Sequence, residues 1–507
     1  MDCLPFSPTR PTYWLTRFVL LRLLGALYAV AFLVAINQVL PLLGAHGLLP
    51  VGPYLRQVSE GLGGAGAGFA RLPSVFWLAH SDGVLLGAAW LGLGLALAVL
   101  AGYANAVVLA VLWALYLSLV HVGQEWYGYG WEIQLCETGF LAIFLCPLLD
   151  GRPFPRRAPP TVVLVLLRWL ACRVMLGAGL IKLRGDESWR DGTALYYHFE
   201  TQPIPGPLSR WFHFLPRGVL QAGVWLNWLA EVGAPLFVFG PGRAVRHAAG
   251  AVIILFQLTI ILSGNLSFLN WLTILPALAC FDDAFWARWL PRRLVQRAAA
   301  AAERAEASRP MQVAGWGLGV LIAGLSVQPT LNLLSPGQVM NTSFDPLELV
   351  NTYGAFGSVG RQRYNVVFEG TRDAVPSDSA RWVAYPYRGL PVALGQRPPQ
   401  VAPYQLRLDW QMWFAAMSSP AEYPWTVHLV YKLLHNDPGA VGLFAANPFP
   451  GRPPRYIRAV RYRYWFAAPG NAQGAWWRRE RLGIWLVPVA ADDPRLLRYL
   501  HAAGWLP

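Results

Sequence analysis

Charge is what this chain lacks. Only 13% of its 507 residues are Asp, Glu, Lys or Arg, about half the density typical of a soluble globular protein. With 55% hydrophobic residues alongside, this excludes a disordered chain and argues against an ordinary cytosolic enzyme. Lysine is almost missing: Lys182 and Lys432 are the only two, so Arg carries nearly all of the positive charge behind the net +14. Arg stacks and pairs better than Lys where hydration is poor, although a GC-rich genome produces the same skew. Cysteine is sparse and scattered. Cys3, Cys136, Cys146, Cys172 and Cys280 form an odd set with no C-x-x-C and none after position 280, which supports no disulfide framework, zinc site or thioredoxin-like motif. No G-x-S-x-G occurs, so the chain is not itself an α/β-hydrolase lipase. A P-loop and a dinucleotide fingerprint are absent too. The apolar run 13–36 is too long for the core of a cleavable signal peptide.

What is present is a series of long apolar runs, near 15–36, 84–101, 103–121, 133–149, 161–181, 223–240, 247–263, 265–281 and 312–330. About 20 residues of helix span the hydrocarbon core, so these runs predict a polytopic α-helical membrane bundle of about 8–9 spans. The 247–281 pair is the exception, because Gly264-Asn265 can close a re-entrant hairpin packed inside protein. Arg placement gives the orientation. With the N-terminus inside, the inner loops hold Arg152, Arg156 and Arg157, then Arg243 and Arg246, then the Arg-rich segment 288–310. The outer loop 122–132 has no Lys or Arg. The expected organisation is a transmembrane bundle over 1–283, a cytoplasmic basic linker over 284–310, a last span over 311–330, and a β-rich extracytoplasmic domain over 331–507.

In that last part the pattern shortens to alternating runs punctuated by Pro and Gly. RYNVVFEG (363–370), RWVAYPYR (381–388), RYIRAVRYRYWF (455–466) and LGIWLVPV (482–489) predict strands, and WTVHLVYKLLHN (425–436) has helical spacing. In the third strand Tyr456, Val460, Tyr462, Tyr464 and Phe466 form an apolar-aromatic face interrupted by Arg458. Arg455, Arg461 and Arg463 lie on the opposite face. A basic β domain raises nucleic acid as a partner, but a solvated Arg face on the outer side of a membrane accounts for the same residues, so no nucleic acid is expected.

Polar residues inside apolar runs narrow the candidate sites. Glu132 and Glu137 flank the start of one span, Arg168 and Arg173 lie in another, and Glu231 is mid-span. Charge in hydrocarbon costs several kcal/mol, so these groups must face the bundle interior and pair, or line a polar cavity for a lipid-like or quinone-like ligand. Lys182, at the end of a span, either snorkels to the interface or, desolvated, serves as a base. His198 and Glu200 in YYHFETQP lack the one-face spacing of a metal site; they join the candidates for buried polar contacts or a ligand cavity, and no metal and no cofactor is expected. The loop 182–216, rich in Trp, Tyr and Pro, is too long for a bare connector; it should form a plate joining bundle to outer domain. Asn265-Leu-Ser and Asn341-Thr-Ser match glycosylation sequons. Trp410, Trp413, Phe414, Trp425, Trp476 and Trp477 supply the aromatic surface with which an outer domain could hold another protein.

Several longer strings resemble the lipase maturation factor family: WEIQLCETGFLAIFLCPLLDG (131–151), GAGLIKLRGDESWRDGTALYYHFETQPIPGPLSRWFHFLP (177–216), SGNLSFLNWLTILPALACFDD (263–283), LVNTYGAFGSVGRQRYNVVFEGTRD (349–373), VAPYQLRLDWQMWFAA (401–416) and NPFPGRPPRYIRAVRYRYWF (447–466). The resemblance implies a multi-pass endoplasmic reticulum membrane protein that helps secreted homodimeric lipases, such as lipoprotein lipase, fold and assemble. Its partners would be membrane lipid and a secreted lipase or other exported client. Trp410, Trp413, Arg455, Arg461 and Arg463 are the client-binding candidates. The Arg bias and short termini suggest a bacterial member, with the bundle in the inner membrane and the C-terminal domain in the periplasm. A shorter similarity, G-x-G-L-I-K-L followed by Trp189 and Gly192, points to the lysine-bearing segment of vitamin K-dependent γ-carboxylase and related membrane domains. It implies an alternative, a membrane-embedded enzyme acting on a lipid, a quinone or a secreted polypeptide with Lys182 as base.

Overall fold

The computed structural model describes Phe6 and residues 11–506; Cys3 lies outside them. Among the described helices the first is α1 (Trp14–Leu43), 30 residues rich in Leu, Ala and Val. At 1.5 Å per residue it runs about 45 Å, more than a hydrocarbon core is thick. It packs along α2 (Asp82–Ala101), and small residues set how closely. A Cβ on Gly25 would lie 2.7 Å from the Leu100 nitrogen, and one on Gly92 would collide with the Phe32 ring. Close backbone approach through small residues is how helices gain packing in lipid. Next come α3 (Ala106–Val122), capped by Asn105 accepting from the Val108 N–H at 2.9 Å, and α4 (Gly130–Ile143). Then follow α5 (Thr161–Arg184), α6 (Arg217–Trp228), α7 (Arg243–Ser263) and α8 (Leu269–Ala277). The basic α9 (Arg292–Glu303) leads to α10 (Arg309–Leu325), which continues through Val327–Leu334.

The count of eight to nine spans is not confirmed. Among the described residues, five helices are long and apolar enough to cross a membrane: Trp14–Leu43, Asp82–Ala101, Thr161–Arg184, Arg243–Ser263 and Arg309–Leu334. Ala106–Val122 and Leu269–Cys280 are apolar but shorter. The run 133–149 yields α4, whose 14 residues rise only about 21 Å before Pro147. The run 223–240 breaks after Trp228 into a π turn, Leu229–Gly233, and a 3-10 turn, Ala234–Phe237, where Pro235 withholds an N–H.

The C-terminal part holds one antiparallel sheet in the order β2-β1-β3-β4, with β1 Arg363–Thr371, β2 Val383–Ala384, β3 Tyr456–Phe466 and β4 Trp477–Val489. It is a small sheet rather than a β-rich domain. The expected strand at 381–388 shrinks to two residues because Pro386 cannot extend the ladder. Helices α11 (Arg407–Ala415) and α12 (Trp425–Leu434) fill the remaining core. Arg458, which breaks the apolar face of β3, sits opposite Glu369 of β1 and pairs with it at 2.9 Å, its guanidinium 4.0 Å from the Trp382 ring centre.

The two parts are not separate bodies in packing: one apolar core runs from α1 and α4 through Trp126, Trp131, Trp410 and Trp425 into the sheet. The basic α9 packs beside Trp14 and Leu15 at the start of α1. The C-terminal part meets the other end of α1, where Gln38 donates to the Gln405 carbonyl at 2.7 Å. The basic helix and this segment of the C-terminal part therefore lie at opposite ends of α1.

Candidate functional site

Two buried polar clusters lie between bundle and C-terminal part. The first is a seam. Glu132, at the start of α4, accepts from Arg407 Nη1 of α11 at 2.8 Å, from the Trp131 indole at 3.1 Å and from the Tyr116 hydroxyl. Arg407 also donates to the Trp126 carbonyl, and its guanidinium lies 3.4 Å from the centre of the Tyr127 ring. One turn further along α4, Glu137 pairs with Arg173 of α5. It also accepts from the Tyr353 hydroxyl at 2.7 Å and the Asn351 N–H at 3.1 Å, while Arg173 donates to the Asn351 carbonyl at 2.6 Å. Gly177 lets α5 come this close, since a Cβ there would collide with the Tyr353 carbonyl oxygen. Among the described residues Arg168 meets no carboxylate; it donates to the Ala279 carbonyl at 2.9 Å and the Tyr13 hydroxyl at 3.1 Å.

The second cluster borders a cavity. Lys182, near the end of α5, donates to both Glu231 oxygens at 2.6 and 2.7 Å and to Asn227 Oδ1 at 2.9 Å. Its ammonium lies 4.7 Å from the centre of the Trp189 ring. The π turn carries Glu231 to this position. Around the cluster opens a cavity of about 840 Å³, bounded by the ends of α4, α5, α6, α7 and α8, by segment 189–203, by 353–364 and by α11. His198 is in its wall. Burial, with Lys182 adding to it, pushes the His198 imidazole down to about 3, so the ring is neutral.

The loop 182–216 forms the layer between these parts. Arg363 of β1 reaches into it and donates to the carbonyls of Glu200, Gln202 and Pro203 at 3.1, 2.6 and 3.0 Å. Glu200 accepts from the Phe466 N–H at 2.7 Å, and the Trp413 indole donates to the Thr201 carbonyl at 2.9 Å. Burial raises the Glu200 carboxyl above the usual carboxylate range. His198 and Glu200 thus face different partners, and among the described residues no group of three His, Cys, Asp or Glu could hold a metal ion.

Of the residues singled out in the sequence, Glu137–Arg173 and Lys182–Glu231 come together as buried pairs, and Glu132 pairs across to the C-terminal part. Trp410 and Trp425 are not surface: Trp410 packs edge-on to Trp131 at 4.8 Å, and Trp425 donates to Glu125 at 2.9 Å. Trp477 is buried against Phe466, whereas Trp413, Phe414 and Trp476 are half-buried. Arg455 is exposed. Arg461 and Arg463 are half-buried, Arg461 lying 4.3 Å from the Tyr364 ring centre. Sequence reading overlooked Arg407, Asn351, Asn227, Arg363 and the true work of Asn265. Asn265 donates to the carbonyls of Pro205 and Pro399 at 3.1 and 2.8 Å, and accepts from the N–H groups of Val401 and Ala402 at 2.8 and 2.9 Å. Its place between two apolar runs was the only signal.

Two family models cover most of the chain: a lipase maturation factor transmembrane domain over residues 15–288, and a lipase maturation factor C-terminal domain over residues 349–487. The chain belongs to the lipase maturation factor family. It is 47% identical to Lipase maturation factor 1 of Bos taurus over 519 residues, covering 97% of this chain and 92% of that one. Against Lipase maturation factor 1 of Homo sapiens the identity is 44%, over 97% and 91% of the two chains. Against Lipase maturation factor 2 of Homo sapiens it is 28%, over 97% and 85%. No solved structure matches the chain. With its apolar helices, this family member is a multi-pass membrane protein. These relatives are vertebrate proteins, so nothing here supports the bacterial source and inner membrane read from the Arg bias. The membrane-enzyme alternative gains no support either: Lys182 Nζ is surrounded by three hydrogen-bond acceptors.

Proposed function

We propose that this lipase maturation factor assists the folding or assembly of secreted lipases, acting as a binding protein fixed to the membrane. The observation that carries the reading is the end-to-end identity with Lipase maturation factor 1, which spans bundle and C-terminal part alike. The bundle anchors the protein in the endoplasmic reticulum membrane, with membrane lipid around its apolar faces. The basic α9 lies on the cytoplasmic side and the sheet on the lumenal side. Two features favour that orientation: the Arg-rich inner loops, and the placement of α9 and of Gln405 in the C-terminal part at opposite ends of α1. All described cysteines are buried in the bundle, so help to a client comes through contact rather than thiol exchange. The client face is assigned to the Arg side of β3, with Arg455, Arg461 and Arg463, and to the neighbouring edge strand β4. Leu482, Ile484 and Val487 are exposed on β4. Arg suits such contact because it both stacks on rings and pairs with carboxylates. Trp410 drops out because it is buried, and Trp413 contributes only its half-buried edge.

The test is secretion of active lipoprotein lipase from cells lacking their own maturation factor. Expression of the chain should restore activity in the medium, and changing Arg455, Arg461 and Arg463 together to Ala should lower it several-fold at unchanged protein level. Full yield from the triple variant would remove this face; no yield with the intact chain would remove the function.

A further inference from the structure

We propose that the cavity beside Lys182 is a binding site for one acyl chain of a membrane lipid, entered sideways from the leaflet on the side of the C-terminal part. The inference rests on the bundle being in a membrane and not on the lipase client. At about 840 Å³ the space is large for a gap between packed elements and within the range of small-molecule sites, about 300–1,000 Å³. Native interiors keep few voids larger than a water molecule, so a space of this size calls for an occupant.

The mouth identifies the occupant. Leu215 precedes α6 and Val219, Ala222 and Leu226 lie on it; all four line the cavity and are exposed, as is Thr259 of α7 on the opposite rim. Beside this mouth the same two helices turn Trp225, Leu255, Leu258 and Leu262 outward. Arg243–Ser263 is a span by length and composition, so its outward face meets hydrocarbon and the mouth opens at that depth. Inside, Met175, Ala178, Phe256 and Phe414 give apolar walls.

The polar groups agree. Among the described residues, Lys182 is the only Lys or Arg in the wall, and it is paired with Glu231. An anionic ligand would therefore meet no free positive charge. A peptide entering from hydrocarbon would have to carry N–H and C=O groups that lipid cannot satisfy; an acyl chain carries none. Because the cavity lies between bundle and C-terminal part, a bound lipid would hold the two together, stabilising the folded state by mass action.

The test uses the full chain in phosphatidylcholine vesicles containing a trace of phosphatidylcholine with a diazirine in mid-chain. After illumination, adducts should map to Met175, Phe256 and Leu226 as well as to Leu33, which faces outward on α1. Ala178→Trp, which fills the cavity, should reduce the cavity adducts at least ten-fold and leave those at Leu33 unchanged. If that variant fails to fold, Ala222→Trp at the exposed mouth should give the same selective loss. Adducts at Leu33 with none in the cavity would overturn the proposal, as would cavity adducts that neither substitution reduces. Cavity labelling by a diazirine-bearing lipase peptide that displaces the lipid would also overturn it and assign the space to the client.

Discussion

The seam and the cavity wall use the same chemistry in different surroundings. Each has buried carboxylates paired with Arg or Lys, and in the sequence both read alike, as charges stranded in apolar runs. In the seam the charges are closed in by neighbours: Glu132 and Arg407 share Tyr116, Trp131, Trp126 and Tyr127, and Glu137 and Arg173 share Asn351 and Tyr353. At the cavity, Lys182 and Glu231 have Asn227 and Trp189, and beyond them open space. A buried pair is thus no marker of a site by itself; the void beside it is. Pairs closed in by neighbours hold parts together, whereas a pair at the edge of a void shapes what can enter.

That contrast can be broken experimentally. The largest effect should come from Arg407→Met, which leaves Glu132 buried without its cation. Breaking a buried pair from one side costs about 3–5 kcal/mol, so the melting temperature should fall steeply and limited proteolysis should release the C-terminal part. Adding Glu132→Gln should restore only part of the loss, since the Trp126 carbonyl still lacks its donor. Unchanged protease resistance in Arg407→Met would mean the seam does not hold the two parts.

How much of this was legible in the sequence follows from range. The helices of the bundle, β1, β3, β4 and α12 were readable because periodicity and apolar length are local. The buried charges were readable as well, since hydrocarbon forces them inward. Their partners were not: Glu132 finds Arg407 across 275 positions and Glu137 finds Asn351 across 214, and no local pattern encodes that. The span count is not confirmed, for a related reason. The run 133–149 lies mostly inside protein and its helix ends before Pro147, and the run 223–240 is broken by a π turn and Pro235, so hydrophobicity there no longer implies one long crossing helix. Asn265 read as a sequon at membrane depth, because its four partners come from two distant segments.

A pH effect of similar size probes the same seam from the other side. His428 of α12 hydrogen-bonds the Leu48 carbonyl at 2.9 Å and stacks on Trp505. Burial, with Lys432 nearby, outweighs the Leu48 bond and lowers its imidazole from 6.5 to about 4. The folded state therefore resists the proton that the unfolded chain accepts. Stability is complete above about pH 6.5 and is lost as pH falls toward 4, by about 3 kcal/mol for this group alone. His428→Gln should remove that slope, so the difference in melting temperature between the two proteins should change between pH 7 and pH 4. A constant difference would contradict the burial of the ring.

Asn265→Ala comes next, at about 2 kcal/mol, because it orphans the buried N–H of Ala402 together with the Pro205 and Pro399 carbonyls; thermal melting reads it directly. The smallest effect should be the paired swap Lys182→Met with Glu231→Leu. Removing both charges at once leaves only Asn227 short of partners, so the loss should be about 1 kcal/mol. A loss as large as that of Arg407→Met would erase the distinction between seam and cavity wall.

The proposed role in lipase maturation requires the C-terminal part to be held on the bundle through the seam. Its most direct measurement is lipoprotein lipase activity secreted by cells lacking their own maturation factor, compared at equal protein level for the wild-type chain, the Lys182→Met/Glu231→Leu variant and Arg407→Met. The account predicts restored activity with the first two and little or none with the third; full activity with Arg407→Met, in a protein whose C-terminal part proteolysis shows to be released, would contradict it.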